Sequence, residues 1–510
     1  MENAGSRIQR FCIRAALLLV LAAVLCFAVC GLAVTARLDS GGGLSERITF
    51  TRDALLPNLA ATAALLLLLL AMTRLVGHRA GRVALAAGAA ALAAGSMAFL
   101  LGAGTRQTYD ASYVAEAAQL FAQGNYKVMH QPYFHACSYQ LGICLPMEIV
   151  LRLLPGLDIS LFMQGLGVVL NAASVAMLCA LAQEAFGGRA AWTTLALAVL
   201  FLPALLYPVF AYNTLPMFFC VTAAMCCFAR YLRTRRARWG FAWAALMGAA
   251  YMLKPNAAIP MLALLICAVL DALRSRDWRV IGFGVLSAVL GVLLIRGVIA
   301  QYELRAGVTL SGNASMLSRL TMGLQEGGAE AGWFNCYIEQ FFPFEVTAEQ
   351  ERAAALADLT ARLRQMAASP ALAADFFARK LLSQWLEPTC ATLWYGQLGG
   401  QSGALAALAQ PVYARGGAIS TALEAYMNVY QQALYLLACV GLVGTIRRRP
   451  GSLQLLPPLV VLGGVLYHGI FEAKSQYAYI YLLLLLPSAA QGLAALAQCA
   501  GQLIDRRKKQ

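Results

Sequence analysis

The sequence predicts an all-α polytopic membrane protein with about twelve transmembrane helices, interfacial helices and a mainly helical extracytoplasmic loop region. Three observations predict it. Of 510 residues, 60% are hydrophobic and 12% charged, where a soluble globular chain is about half apolar and a quarter charged. The apolar residues gather in runs of about 20, the length of a helix that crosses a bilayer. The basic residues cluster in the short loops between those runs, as the positive-inside rule requires. A net charge of +15 could suggest nucleic acid, but no basic stripe runs along a soluble segment, so nucleic acid is excluded as a partner.

The first run, Cys12 to Val34, is too long for a signal-peptide core and lacks an Ala-x-Ala cleavage site, so it reads as a retained helix. Spans are expected near 12–34, 54–76, 83–104, 159–184, 190–207, 213–232, 239–253, 256–273, 280–300, 426–446, 453–471 and 476–497. With Arg7, Arg10 and Arg14 in the cytoplasm, the cytoplasmic loops hold His78–Arg82, Arg189, Arg230–Arg238, Arg274–Arg279, Arg447–Arg449 and the tail Arg506–Lys509. The chain is thus expected in the cell membrane, multi-pass, with both termini cytoplasmic. Four regions follow: an N-terminal transmembrane hairpin (1–82), a transmembrane core with a first external loop at 105–158 (83–300), a large external loop with amphipathic helices (301–425), and C-terminal transmembrane helices with a basic tail (426–510). Segment 35–53 also falls outside.

Within the large loop, Thr347-Ala348-Glu349-Gln350 is a capping box that opens a helix toward Met366. Ser369-Pro370 opens a second helix to about Leu386. Trp385, Trp394 and Tyr395 suit an interfacial aromatic belt, which would lay this second helix on the membrane surface. Segment 138–155 reads as an interfacial helix, because Glu148 and Arg152 stand four apart and two charges in mid-membrane are costly. Most of the 14 cysteines lie in apolar runs and act as small hydrophobes. Cys137, Cys336 and Cys390 fall outside, where a disulfide is open. No Cys/His spacing indicates a metal.

Carboxylates on the outer side near the membrane are scarce. Asp110 follows a span directly and precedes a helical stretch, Ala111 to Gln123, with Val114, Ala117, Ala118 and Phe121 on one face. It is either a catalytic carboxylate or simply a helix cap. Lys254, in Lys254-Pro255-Asn256, either snorkels to headgroups or holds a phosphate. Glu472 to Tyr477 forms the last outward turn, whose Lys474 and Glu472 are either loop solvation or a second cation with an orienting carboxylate. Arg379 and Lys380 read as headgroup contacts, His130 and His135 as polar loop residues, and Asn171 as an interhelical hydrogen bond. Glu116 is not placed to pair with Asp110 as in a two-carboxylate glycosidase.

The order of these features resembles the GT-C superfamily of polyprenyl-phosphate-sugar-dependent glycosyltransferases, especially bacterial members of the protein-mannosyltransferase-like family 39. The outward Asp110 is followed by a helix ending in Gly124-Asn125-Tyr126 and then by Tyr139-Gln140-Leu141-Gly142. Tyr207 to Pro216, Leu253 to Asn256, Leu320 to Leu324 with Gly332 to Asn335, and Glu472 to Tyr477 are similar to later turns of that family. The likeness covers about residues 83–497, which makes 83–300 a GT-C-like core. Two departures stand out. Gln476 occupies the place of an expected arginine, and no glutamate follows Asp110, so a protein acceptor is not implied.

The resemblance implies a sugar moved from a polyprenyl-phosphate donor to a cell-envelope acceptor (glycan, lipid or protein) on the extracytoplasmic face, with inversion. Asp110 would be the general base. Lys254 and Lys474 would stabilise the departing phosphate, and Glu472, Tyr139, Gln140, Tyr477 and His130 would line the substrate site. Neither cofactor nor metal is implied, and membrane lipids are partners. A polytopic transporter or flippase of lipid-linked sugars, with a similar layout, is the alternative. A non-catalytic subunit is a third reading, if Asp110 only caps its helix.

Overall fold

The computed structural model describes the chain except residues 1–3, 41–45, 76–81, 106, 311–313, 344, 395–402, 415, 449 and 508–510. The loop His78–Arg82, Tyr395, Arg449 and the end of the basic tail therefore lie wholly or partly outside the described residues. Among those described, ten helices are long and apolar enough to cross a membrane, and an eleventh span counts if the bent pair Gly188–Leu200 and Leu202–Val209, broken by 70°, is one. Ala237–Leu253, at 17 residues, occupies the expected span at 239–253. The chain is a polytopic helical membrane protein.

The centre of the bundle is the last helix, Ser475–Arg507, which buries the run Leu482 to Leu486 completely or nearly so. It lies along Ala418–Arg447, and glycines make that approach possible: a methyl group at Gly441 would strike the Ser488 carbonyl, and one at Gly492 the Leu437 carbonyl. Small residues at a helix crossing let backbones meet where lipid gives no hydrophobic drive to association. Asn171 joins the same core, donating to the Ala204 carbonyl at 2.7 Å and accepting from the Tyr479 hydroxyl at 2.7 Å.

Between the first two helices, Ala4–Gly31 and Leu55–Leu75, the chain forms an antiparallel β-hairpin, Val34–Ser40 paired with Glu46–Arg52. The sequence reading gave this segment no element. Its backbone is tied down at two points, Ala36 N–H to the Leu386 carbonyl (3.1 Å) and Ile48 N–H to the Ala329 carbonyl (3.3 Å). The long segment between Arg279–Ala306 and Ala418–Arg447 carries Met316–Gly323, Ala348–Ala368 and Pro370–Trp385. The capping box is formed as expected, with Gln350 N–H to Thr347 Oγ1 at 3.2 Å and Thr347 N–H to Gln350 Oε1 at 2.9 Å. Ser369 caps the second helix.

That second helix does not lie on the surface throughout. Its last turns bury Lys380, Ser383, Gln384 and Trp385, and Trp385 stacks on Phe27 at 5.1 Å instead of facing an interface. Trp394 is buried as well. The helix Leu141–Leu153 contains the expected Glu148–Arg152 pair at 2.8 Å, but Glu148 faces inward. It is only 1% exposed and also accepts from Arg305 (3.0 Å) and the Tyr302 hydroxyl.

Candidate active site

Asp110 lies in the first turn of Tyr109–Ala122, whose buried face is formed by Val114, Ala117, Ala118 and Phe121. Tyr109 adopts a left-handed φ of 53°, so the chain turns sharply into this helix. The cap position belongs to Thr108, and Asp110 is therefore not the cap residue. Its carboxylate, on an exposed residue, accepts from three side chains of separate segments: Tyr133 to Oδ1 at 2.9 Å, Tyr212 to Oδ2 at 3.3 Å and Gln140 to Oδ2 at 3.4 Å. Gln140 also donates to the Tyr212 hydroxyl. Burial and the neighbouring Asp110 push the Tyr133 hydroxyl far up, so it stays a donor. A carboxylate fixed by such neutral donors, near the positive end of a helix, keeps its orientation without being neutralised.

Lys254 ends Ala237–Leu253 and is 8% exposed. Its ammonium donates to Thr214 Oγ1 at 2.7 Å and lies over the rings of Tyr212 (5.6 Å) and Tyr477 (5.4 Å). The snorkelling reading fails here, because the group points into the protein. Burial pushes its pKa down to about 8, while Glu472 and Asp110 pull it up and Lys474 opposes them. These charges therefore act on one another across one site. Glu472 accepts from the Tyr477 hydroxyl at 3.3 Å. Its pKa is raised by burial, with Lys474 and Arg319 acting in the opposite direction. Lys474 forms a 2.6 Å ion pair with Glu46 of the hairpin, and both act on Tyr109.

Arg319, from Met316–Gly323, enters the same site and was not singled out from the sequence. It donates to the carbonyls of Ala314 (3.1 Å) and Ala136 (3.4 Å) and lies 5.2 Å over the Tyr139 ring. Its charge acts on Glu472. Among the described residues neither Arg319 nor Lys254 makes an ion pair. Tyr133, Tyr212 and Glu46 were also missed. Only Tyr212, inside the quoted turn Tyr207 to Pro216, had a local signal; Arg319 and Glu46 arrive by tertiary contacts alone.

Several expectations need correction. His130 is exposed on the short helix Lys127–His130 and, among the described residues, forms no hydrogen bond with the site residues, because that turn leaves its side chain at the surface. His135 is buried and not an open loop residue. Lys380 is no headgroup contact: it is fully buried, donates to the Gly323 carbonyl and lies 5.8 Å over Phe376. Arg379 pairs with Glu326 (3.1 Å), Asp375 (2.8 Å) and Glu330. Gln476 is buried, its Oε1 without a partner among the described residues. Cys137, Cys336 and Cys390 are all free thiols, and among the described residues no group of three His, Cys, Asp or Glu could hold a metal.

No protein-family model matches the chain, and no curated protein matches it by sequence. Among solved structures, it is similar to the archaeal oligosaccharyltransferase AglB from Archaeoglobus fulgidus, in complex with an inhibitory peptide and a dolichol-phosphate. The identity is 12% and the TM-score 0.41, over 84% of this chain and 52% of that one. It is also similar to ArnT from Cupriavidus metallidurans bound to undecaprenyl phosphate, with 17% identity and a TM-score of 0.34 over 81% of this chain and 78% of that one. The chain thus spans about half the length of the first. At these scores neither likeness assigns an activity, and the functional reading rests on the site.

Proposed function

We propose that the chain is a membrane glycosyltransferase that moves a sugar from a polyprenyl phosphate to a hydroxyl of a cell-envelope acceptor on the extracytoplasmic face. One observation carries the reading. An exposed carboxylate, Asp110, is oriented by Tyr133, Gln140 and Tyr212, beside two cations, Lys254 and Arg319, that have hydrogen bonds but no carboxylate partner within ion-pair distance. Lys254 is buried and Arg319 half-buried, and cations withdrawn from water without such a partner favour an anion, which a phosphate supplies.

The chemistry follows from that arrangement. The acceptor oxygen attacks the anomeric carbon as its proton passes to Asp110, and the bond from that carbon to the phosphate oxygen breaks. The charge growing on the phosphate is met by Lys254 and Arg319, with Lys474 beyond them. Attack opposite the leaving group inverts the anomeric centre. Arg319 supplies the site with a guanidinium, Gln476 standing in the place of the arginine that the GT-C resemblance leads one to expect.

One observation favours transport instead: the span broken at Phe201, bent by 70°, since transporters bind cargo at interrupted helices. Asp110→Asn separates the readings. With undecaprenyl-phosphate-linked hexoses and pentoses as donors, the variant is expected to lose at least about a thousandfold in transfer, while still binding undecaprenyl phosphate and melting like the parent. Transfer surviving in the variant, or lipid-linked sugar crossing vesicles without turnover, would sink the transferase reading.

A further inference from the structure

The chemistry above gives Lys380 no task, yet its side chain is fully buried, and burying an ammonium is costly. Its hydrogen bond goes to the Gly323 carbonyl, and among the described residues it makes no ion pair. Burial pushes its pKa down to about 7, and Glu472 draws it back up. The ammonium and the carboxylate of the site therefore act on each other.

What Lys380 holds is the end of the helix that delivers Arg319. Gly323 closes Met316–Gly323, about one turn after Arg319. The next carbonyl, of Leu324, accepts from Arg362 at 2.7 Å. The two cations share the Phe376 ring, Arg362 at 4.8 Å and Lys380 at 5.8 Å. Cations suit a helix C-terminus, where unpaired carbonyls gather negative charge. Arg362 also pairs with Glu326 at 3.2 Å, whereas Lys380 is kept in place by packing: a methyl group on Gly332 would lie 2.6 Å from its Cδ. Both glycines also meet the turn that joins Ser452–Ile470 to Ser475–Arg507. A methyl group on Gly323 would lie 2.6 Å from the Ile470 carbonyl oxygen, and the Gly332 carbonyl accepts from Ala473 N–H at 2.9 Å. Ala473 stands between Glu472 and Lys474. Lys380 thus fills the joint between the helix of Arg319 and the turn of Glu472 and Lys474.

We propose that Lys380 is a positioning residue: it fixes the end of Met316–Gly323 against the Glu472–Lys474 turn and so holds Arg319 where it meets the donor phosphate. The inference rests on the reading of Arg319 as a phosphate ligand. A charged donor suits the task, because its hydrogen bond to a carbonyl is about twice as strong as that of a neutral one. Lys380 itself touches no substrate; it acts through the guanidinium one turn away.

The test measures binding of undecaprenyl phosphate, and of the uncharged undecaprenol, to the purified full chain by native mass spectrometry. Lys380→Met is expected to weaken undecaprenyl phosphate at least about threefold and to leave undecaprenol unchanged, whereas a merely structural lysine would disturb both or neither. Added to Arg319→Ala, Lys380→Met should cost nothing further, because its effect passes through that side chain. Lys380→Gln keeps an N–H donor without the charge and should bind the phosphate less tightly than the parent. Melting curves check folding, and Lys380→Gln carries the test if Lys380→Met does not fold. Unchanged phosphate binding, an equal loss of undecaprenol, or a loss that adds in full to that of Arg319→Ala overturns the proposal. If Arg319→Ala alone binds undecaprenyl phosphate like the parent, the phosphate reading of Arg319 falls, and this inference with it.

Discussion

Removing the charge of Lys254 has two opposed consequences. Its pKa is pushed from 10.5 to about 8 by burial. Between those values the unfolded chain binds a proton that the folded chain has lost, so stability rises with pH across that window. Below pH 8 both states carry the proton and the cost of burial is present in full, of order 3 kcal/mol for such a shift. Lys254→Met is therefore expected to raise Tm at pH 7, with less gain at pH 9. The same variant is expected to bind undecaprenyl phosphate at least about tenfold more weakly, and the parent's own affinity should fall between pH 7 and 9 as the ammonium is lost. A variant that is less stable and binds normally would make Lys254 structural. Arg319→Ala tests the partner cation: it should raise KM for the donor about tenfold or more, whereas Gln476→Ala should leave KM near the parent's. Equal effects of the two would remove Arg319 from the phosphate site.

At the scale of elements, the crossing of Ala418–Arg447 with Ser475–Arg507 gives the sharpest contrast. Gly441 lies against the Ser488 carbonyl, while a methyl group at Gly444 would meet nothing within 4 Å. Gly441→Ala must push the helices apart, and loss of close packing costs roughly 1–3 kcal/mol or more. Gly444→Ala should be neutral or stabilising by up to about 1 kcal/mol, from helix propensity alone. Thermal unfolding in detergent compares the two, and equal Tm values would show that the crossing is looser than described. The elements also show what a sequence can reveal. Thr347 to Gln350 and Ser369-Pro370 announced their helices, because caps are made by residues within one turn. The hairpin stayed unread because its partners, Leu386 and Ala329, are remote in sequence. Trp385 was misplaced for a related reason: an amphipathic tryptophan suits an interface and a helix-packed interior equally.

At the scale of the whole molecule, hydropathy located the helices well, since each must satisfy its own backbone within one segment. Within the site, Asp110, Lys254, Glu472 and Lys474 were legible as rare charges at span ends. Tyr133, Arg319 and Glu46 were not, because only the fold brings them there. The orientation read from the basic loops is the remaining link, and the natural cysteines can test it. Cys336, in the large loop, and Cys499, in the last helix, are both exposed free thiols, and the exposed Cys26 lies within a span. A charged, impermeant maleimide added to intact cells should label only Cys336, so the signal should vanish in Cys336→Ser. Cys499 should react only after permeabilisation, and Cys26, facing lipid, should stay unlabelled by a charged reagent. Partial burial and Glu339 push the Cys336 thiol above its usual pKa of about 9, so its thiolate fraction and labelling rate should climb between pH 7 and 9. Labelling of Cys499 from outside, with Cys336 protected, would invert the molecule. It would place Asp110 and both cations on the cytoplasmic side, where a donor displayed on the outer leaflet could not reach them.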